Sequence, residues 1–196
     1  LAVTYYHELE SLGLDKTLDG CRMTKIFSMN YISKKTQKDF LDETKKMQIV
    51  YDTHFAYPDF INLKFKNEKL KIGFLSGDFK KHSVGFFLKG LIKHIQKKNF
   101  ELVAFSNLSL KKHDEFTKFF KESFNKWHDI IDMDNNNLIS FIRSQNIDIL
   151  IDLAGFSYGN RIDVFASRCA PVQVLWLGYN NTTGLKNMDY LIADPN

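Results

Sequence analysis

The stretch that most constrains the fold is residues 69–83, KLKIGFLSGDFKKHS. Apolar residues Leu70, Ile72, Phe74 and Leu75 run into Ser-Gly-Asp, a single histidine follows at His82, and an amphipathic run begins. This reads as a buried strand, a tight loop and a helix start. Such a unit belongs to an open α/β sheet, where chemistry sits just past the carboxyl ends of strands. The rest of the chain repeats the pattern. Strands are predicted over 70–76, 100–105, 128–131, 147–153, 171–177 and 189–193, and helices over 84–97, 114–125, 134–145 and 161–166. Strands alternating with helices of this length specify an α/β fold, a doubly wound parallel sheet.

Residues before this unit read as helical. Tyr5, Leu9 and Leu12 have helical spacing, residues 25–32 form a short apolar segment, and a long helix is predicted over 37–55 with Ser33 or Thr36 as its cap. Pro58 ends that helix, giving a helical region over 1–58 and an α/β unit over 69–196. Ser83 is the expected N-cap of the helix after the first strand, with Val84, Phe87, Leu88, Leu91, Ile92 and Ile95 on its inward stripe.

Charge and composition set limits. The chain has 196 residues and a net charge of +4, yet residues 128–196 carry four basic against eight acidic side chains. The lysine surplus is scattered without an arginine-rich block, so a solvated lysine surface is the expectation and a nucleic-acid partner is not. No apolar run reaches the roughly 18 residues of a membrane span. The two cysteines, Cys21 and Cys169, lack metal-ligand spacing and are expected as free thiols of a cytoplasmic protein.

Three loops after strands one, four and five should share one edge. The first, 76–83, offers backbone N–H groups at a helix start but lacks the G-x-G-x-x-G spacing of a dinucleotide site. A neutral His82 there could accept or position a hydroxyl proton; on spacing alone it is first of all a loop cap. Asp78 after Ser-Gly reads as a turn and capping residue. The second loop, 152–161, brackets Phe156 and Ser157 between Gly155 and Gly159, a bend suited to a sugar, with Arg161 expected to pair with Asp152 or Asp163. The third, Gly178-Tyr179-Asn180-Asn181-Thr182-Thr183-Gly184, has hydroxyls and amides for polyol or phosphate recognition. The five other histidines show no shared spacing, and the Asn107 and Asn181 glycosylation patterns lack a secretory context.

In this order the loops resemble the catalytic region of the O-linked N-acetylglucosamine transferase family, including SPINDLY-type and bacterial tetratricopeptide-containing members. The matching stretches are LKIGFLSGDFKKHSVGFFL, NFELVAFSN, IDILIDLAGFSYGNRIDVFASRCAPVQVLWLGYNNTTGL and MDYLIADPN, with a weaker echo in NYIS and DFLDETKKMQIVYDTHF. The resemblance implies a GT-B fold of two Rossmann-like lobes after helical repeats, with this chain matching the helical end and the N-terminal lobe and the C-terminal lobe falling outside it. It implies metal-independent, inverting transfer of a sugar from a nucleotide sugar, UDP-N-acetylglucosamine by expectation, to Ser or Thr of acceptor proteins, with no further cofactor. His82 matches the family's active-site histidine. Asp78, Gly155, Phe156, Ser157, Gly178, Tyr179, Thr182, Thr183 and Gly184 match substrate-binding, cleft-lining positions. Two departures stand out. Many bacterial relatives read Gly-His-Thr where this chain has Gly155-Phe156-Ser157, so a proton relay there is lost, and Asn180 replaces the usual proline after Gly-Tyr. Phe156 and the missing lobe leave a second reading, a protein-binding module without catalysis.

Overall fold

The computed structural model describes residues 19–54, 69–95 and 98–194. The helical spacing of Tyr5, Leu9 and Leu12, the connector after Pro58 and the far end of the helix expected over 37–55 fall outside the described residues, whereas the helix expected over 84–97 stops at His94, where Ile95 turns extended as its C-cap. Helix α1 spans Asp19–Met29 and α2 spans Gln37–His54. Strand β1 (Leu70–Ser76) leads through α3 (Ser83–His94) to β2 (Phe100–Ser106), and a 3-10 turn at Leu110–Lys112 leads to α4 (Glu115–Ser123). Then come β3 (Lys126–Asp129), α5 (Asn135–Ser144), β4 (Ile149–Asp152), α6 (Ile162–Ala166), β5 (Val172–Trp176) and β6 (Tyr190–Ile192).

The strands form one sheet in the order β3-β2-β1-β4-β5-β6, with every pairing parallel. This is the doubly wound arrangement of a Rossmann-like fold, and its switch point lies between β1 and β4. Side chains alternate across the pleat, so one run of residues fills two cores. Ile72, Phe74, Leu102 and Ala104 face α3 and α4, where Val84, Leu88, Ile92, Phe116, Phe120 and Phe124 meet them. Leu75, Val103, Phe105 and Leu150 face the other way, toward α5 and α6. Helices α1 and α2 add Ile26, Met29, Phe40, Met47 and Tyr51 to this second core.

Local signals place the helices. Asp114 and Thr117 form a reciprocal capping box at α4, and Asp134 caps α5 through the Asn137 amide. Thr36 and Asp39 bond reciprocally at the start of α2. Several readings differ from expectation. The apolar segment over 25–32 is mostly the second half of α1. Strand β3 begins at Lys126, two residues early, because the Lys126–Asp129 register pairs it with Val103–Ser106. The stripe of α3 is narrower than predicted: Val84, Gly85, Leu88 and Ile92 are buried, whereas Phe87 and Leu91 are exposed.

Candidate active site

The carboxyl ends of β1, β4 and β5 open onto a cavity of about 490 Å³. The first loop contributes Asp78, Lys80 and His82, the second Ser157 and Tyr158, and the third Leu177 and Gly178. Ser83, Val84 and Phe87 of α3 and Phe27 and Tyr31 at the end of α1 complete the wall.

His82, not Ser83, is the N-cap of α3. Its extended backbone (φ −148°, ψ 159°) turns the ring so that Nδ1 accepts the Val84 amide at 3.3 Å. An acceptor Nδ1 leaves the proton of the neutral ring on Nε2. The ring therefore caps the helix with one nitrogen and has an N–H donor on the other, while its side chain remains 43% exposed. Capping and lining the cavity are thus two tasks of one residue. Asp78 lies 3.6 Å from His82 Nδ1 and 3.5 Å from Lys80 Nζ. Asp78 is not the turn cap expected: that bond comes from Ser76, whose Oγ accepts the Asp78 amide at 2.9 Å. The Asp78 carboxylate faces the cavity between a lysine and a histidine.

Beneath the second loop sits Asp152, fully buried at the end of β4. It accepts the amides of Ala154 at 2.8 Å and Gly155 at 3.1 Å. Burial pushes its carboxyl up to about 6, with the two amide bonds opposing. Gly155 has φ +54°, and a Cβ there would stand 2.4 Å from Tyr179 Cβ. Gly178 has no room either, since a Cβ would stand 1.8 Å from the Leu153 carbonyl oxygen. These close approaches let loops two and three cross at the sheet edge.

With this geometry in place, comparison with known proteins decides the family. The profile of Glycosyl transferase family 41 matches residues 29–196. The chain belongs to glycosyltransferase family 41. It is 32% identical over 191 residues to a protein of Solanum lycopersicum named probable UDP-N-acetylglucosamine–peptide N-acetylglucosaminyltransferase SPINDLY, covering 93% of this chain and 20% of that one. The Arabidopsis thaliana protein of the same name is 32% identical over 186 residues, with 92% and 20% covered. An O-GlcNAc transferase mutant from Thermobaculum terrenum superposes with a TM-score of 0.87 at 28% identity, covering 98% of this chain and 36% of that one. The chain spans about a fifth of the length of the curated relatives it matches.

Against the family 41 expectations, the residues separate into two groups. His82, Asp78, Ser157 and Gly178 meet at the cavity. Gly155 lies behind it, buried against Tyr179. Phe156 and Tyr179 turn away into the core, their rings 5.4 Å apart and edge-on. The Tyr179 hydroxyl, raised in pKa by burial, accepts a long bond (3.5 Å) from Asn30 Nδ2. Thr182, Thr183 and Gly184 are not on the cavity wall; that end of the loop docks on α2. Gly184 faces Thr44, the Lys186 amide donates to Gln48 Oε1 at 2.8 Å, and Asn181 donates to Asn30 Oδ1 at 3.2 Å. Arg161 does not pair with Asp152. It donates to Asn107 Oδ1 at 3.1 Å and Asn135 Oδ1 at 2.9 Å, and Asn135 in turn donates to Asp163 at 2.6 Å. Burial lowers the Arg161 pKa, opposed by the Asp163 and Asp134 charges.

Sequence reasoning missed Phe27, Tyr31, Lys80, Phe87 and Tyr158 as wall residues. The i,i+4 spacing of Phe27 and Tyr31 in KIFSMNYI was the available signal, their rings lying 5.8 Å apart. Among the described residues no three His, Cys, Asp or Glu side chains gather as a metal site, and no helix is long and apolar enough to cross a membrane.

Proposed function

We propose that the protein containing this chain is a protein O-glycosyltransferase that moves N-acetylglucosamine from UDP-N-acetylglucosamine to Ser or Thr hydroxyls of cytoplasmic protein acceptors. The chain is its acceptor-side lobe in a GT-B enzyme, with α1 and α2 the end of a tetratricopeptide-type helical region. The observation that carries this reading is His82 at the mouth of the switch-point crevice of a family 41 sheet, its Nδ1 engaged by Val84.

The hydroxyl attacks the anomeric carbon from the face opposite the diphosphate, the C1–O bond to the diphosphate breaks, and the configuration inverts. Metal independence follows the family resemblance. Because Nδ1 is occupied as an acceptor, His82 serves as an Nε2–H donor that orients the sugar or acceptor rather than as the base. Asp78, the carboxylate on the cavity wall, is the group placed to take the hydroxyl proton, with the Lys80 ammonium 3.5 Å away steadying its charge. Phe156 is buried beside Tyr179, and the proposed transfer routes no proton through that position.

The test is transfer from UDP-N-acetylglucosamine to a Ser-containing peptide by the full-length protein, read by mass spectrometry of the peptide. Transfer that falls about 100-fold in the His82→Ala protein supports the reading. Absence of transfer by the unaltered full-length protein overturns it. The 196-residue chain alone is expected to show no turnover.

A further inference from the structure

The second loop presents a residue that this chemistry leaves unused. Tyr158 is 96% exposed, yet the backbone that carries it is held on both sides. Asn107 Nδ2 donates to the Gly159 carbonyl and Asn160 Nδ2 to the Ser157 carbonyl, each at 2.8 Å. A large ring standing in solvent on a held backbone, with few rotamers to lose, is suited to contact. Tyr158 lines the main cavity and also a second hollow of about 190 Å³ at the carboxyl ends of β1 and β2.

The chemistry of that hollow differs from the main cavity. Asp78 and Lys80 face both spaces and offset one another at 3.5 Å. Ser109 and Lys112 face only the smaller one. Lys112 makes no ion pair among the described residues, and Ser109 makes no capping bond to the turn it precedes. The hollow therefore holds an unoffset ammonium and a hydroxyl against an aromatic wall. An ammonium is a strong point-charge donor to a carboxylate or phosphate.

We propose that this smaller hollow is an anion subsite for a carboxylate or phosphate group, adjoining the transfer cavity across Tyr158. It rests on the proposed function only in naming the sources: an acidic residue near the acceptor Ser or Thr, or a free phosphate. The test is a two-dimensional amide NMR titration of the chain with three probes: inorganic phosphate, a Ser peptide carrying a nearby Glu, and the same peptide carrying Gln. Saturable shifts of the Ser109, Lys112 and Gly159 amides support the subsite, with phosphate, the Glu peptide, or both identifying the source. The Lys112→Ala chain should bind at least threefold more weakly and Lys112→Arg about as well as the parent. Equal binding of the Gln and Glu peptides together with no saturable phosphate binding, shifts scattered over surface lysines without saturation, or affinity unchanged by Lys112→Ala would overturn it. Tyr158→Ala is the second variant, expected to weaken the peptide more than phosphate; equal effects on both would remove Tyr158 from the subsite. Anion binding is read without turnover, so its failure and a failure of sugar transfer are separate results.

Discussion

Asp152 offers the sharpest quantitative test of the site's foundation. The residue is flanked in the sheet by Leu75 of β1 and Leu175 of β5, and among the described residues its oxygens accept only the Ala154 and Gly155 amides. Burial raises its pKa from 3.8 to about 6. A carboxyl raised on folding binds its proton more tightly in the folded chain than in the unfolded one. Its contribution therefore makes stability fall as pH rises from 3.8 to about 6, and stability stays lower above that window. At 1.36 kcal/mol per unit, this decline is about 3 kcal/mol.

Asp152→Asn removes the titration while keeping one acceptor oxygen. The amide that then faces an NH2 group loses its bond, at a cost of about 1–3 kcal/mol that does not depend on pH. The two effects separate in a pH series. From about pH 4 to about pH 8 the variant should gain about 2 kcal/mol relative to the parent, whatever its absolute stability. Urea unfolding followed by Trp127 and Trp176 fluorescence gives the midpoint and slope at each pH. A difference curve that stays flat across that range would refute the buried, proton-binding carboxyl. A curve that rises in the opposite direction would mean that the amide bonds outweigh burial.

The other predictions rest on single geometric features. Gly155→Ala places a Cβ 2.4 Å from Tyr179 at φ +54°, so thermal unfolding should show a loss of at least about 2 kcal/mol. His82→Asn keeps a side-chain acceptor for the α3 cap and should retain stability to within about 0.5 kcal/mol, while His82→Ala loses about 1 kcal/mol; both should cut transfer by the full-length protein about 100-fold, and an Asn variant with normal turnover would leave His82 a cap only. Phe156→His buries an imidazole in the core and should cost about 3 kcal/mol by urea unfolding, whereas a cavity residue would tolerate the change. Glu43 sits between Lys25 at 2.8 Å and Lys46 at 3.0 Å, and although burial opposes it, these bonds hold its carboxyl below the ordinary range. Its stabilisation is present above the unfolded value of 4.5 and lost as pH falls, so Glu43→Gln should lower the melting temperature at neutral pH and have little effect in acid.

The strands were legible because a parallel sheet covered on both faces demands continuous apolar runs, as in KIGFL, ELVAF and ILIDL. Their carboxyl ends were legible for the same reason, and this is why His82, Asp78, Ser157 and Gly178 meet as expected. Side-chain direction inside a loop follows no period, so Phe156 and Ser157, adjacent in sequence, part company: one enters the core and the other the cavity. The dock of Gly184 on Thr44 is a contact over more than a hundred residues and leaves no local mark.

Helix α3 held a signal that periodicity alone misread. A helix buried on one face needs three to four apolar positions in two turns. Residues 84–95 supply more, and Val84, Leu88 and Ile92 with Gly85 already complete the buried face. Phe87 is surplus to packing and stands 66% exposed. It lines the main cavity and the hollow beside β6. Apolar residues beyond what a helix can bury are themselves the mark of a working surface, and here Phe87, five residues from His82, is the one on the cavity wall.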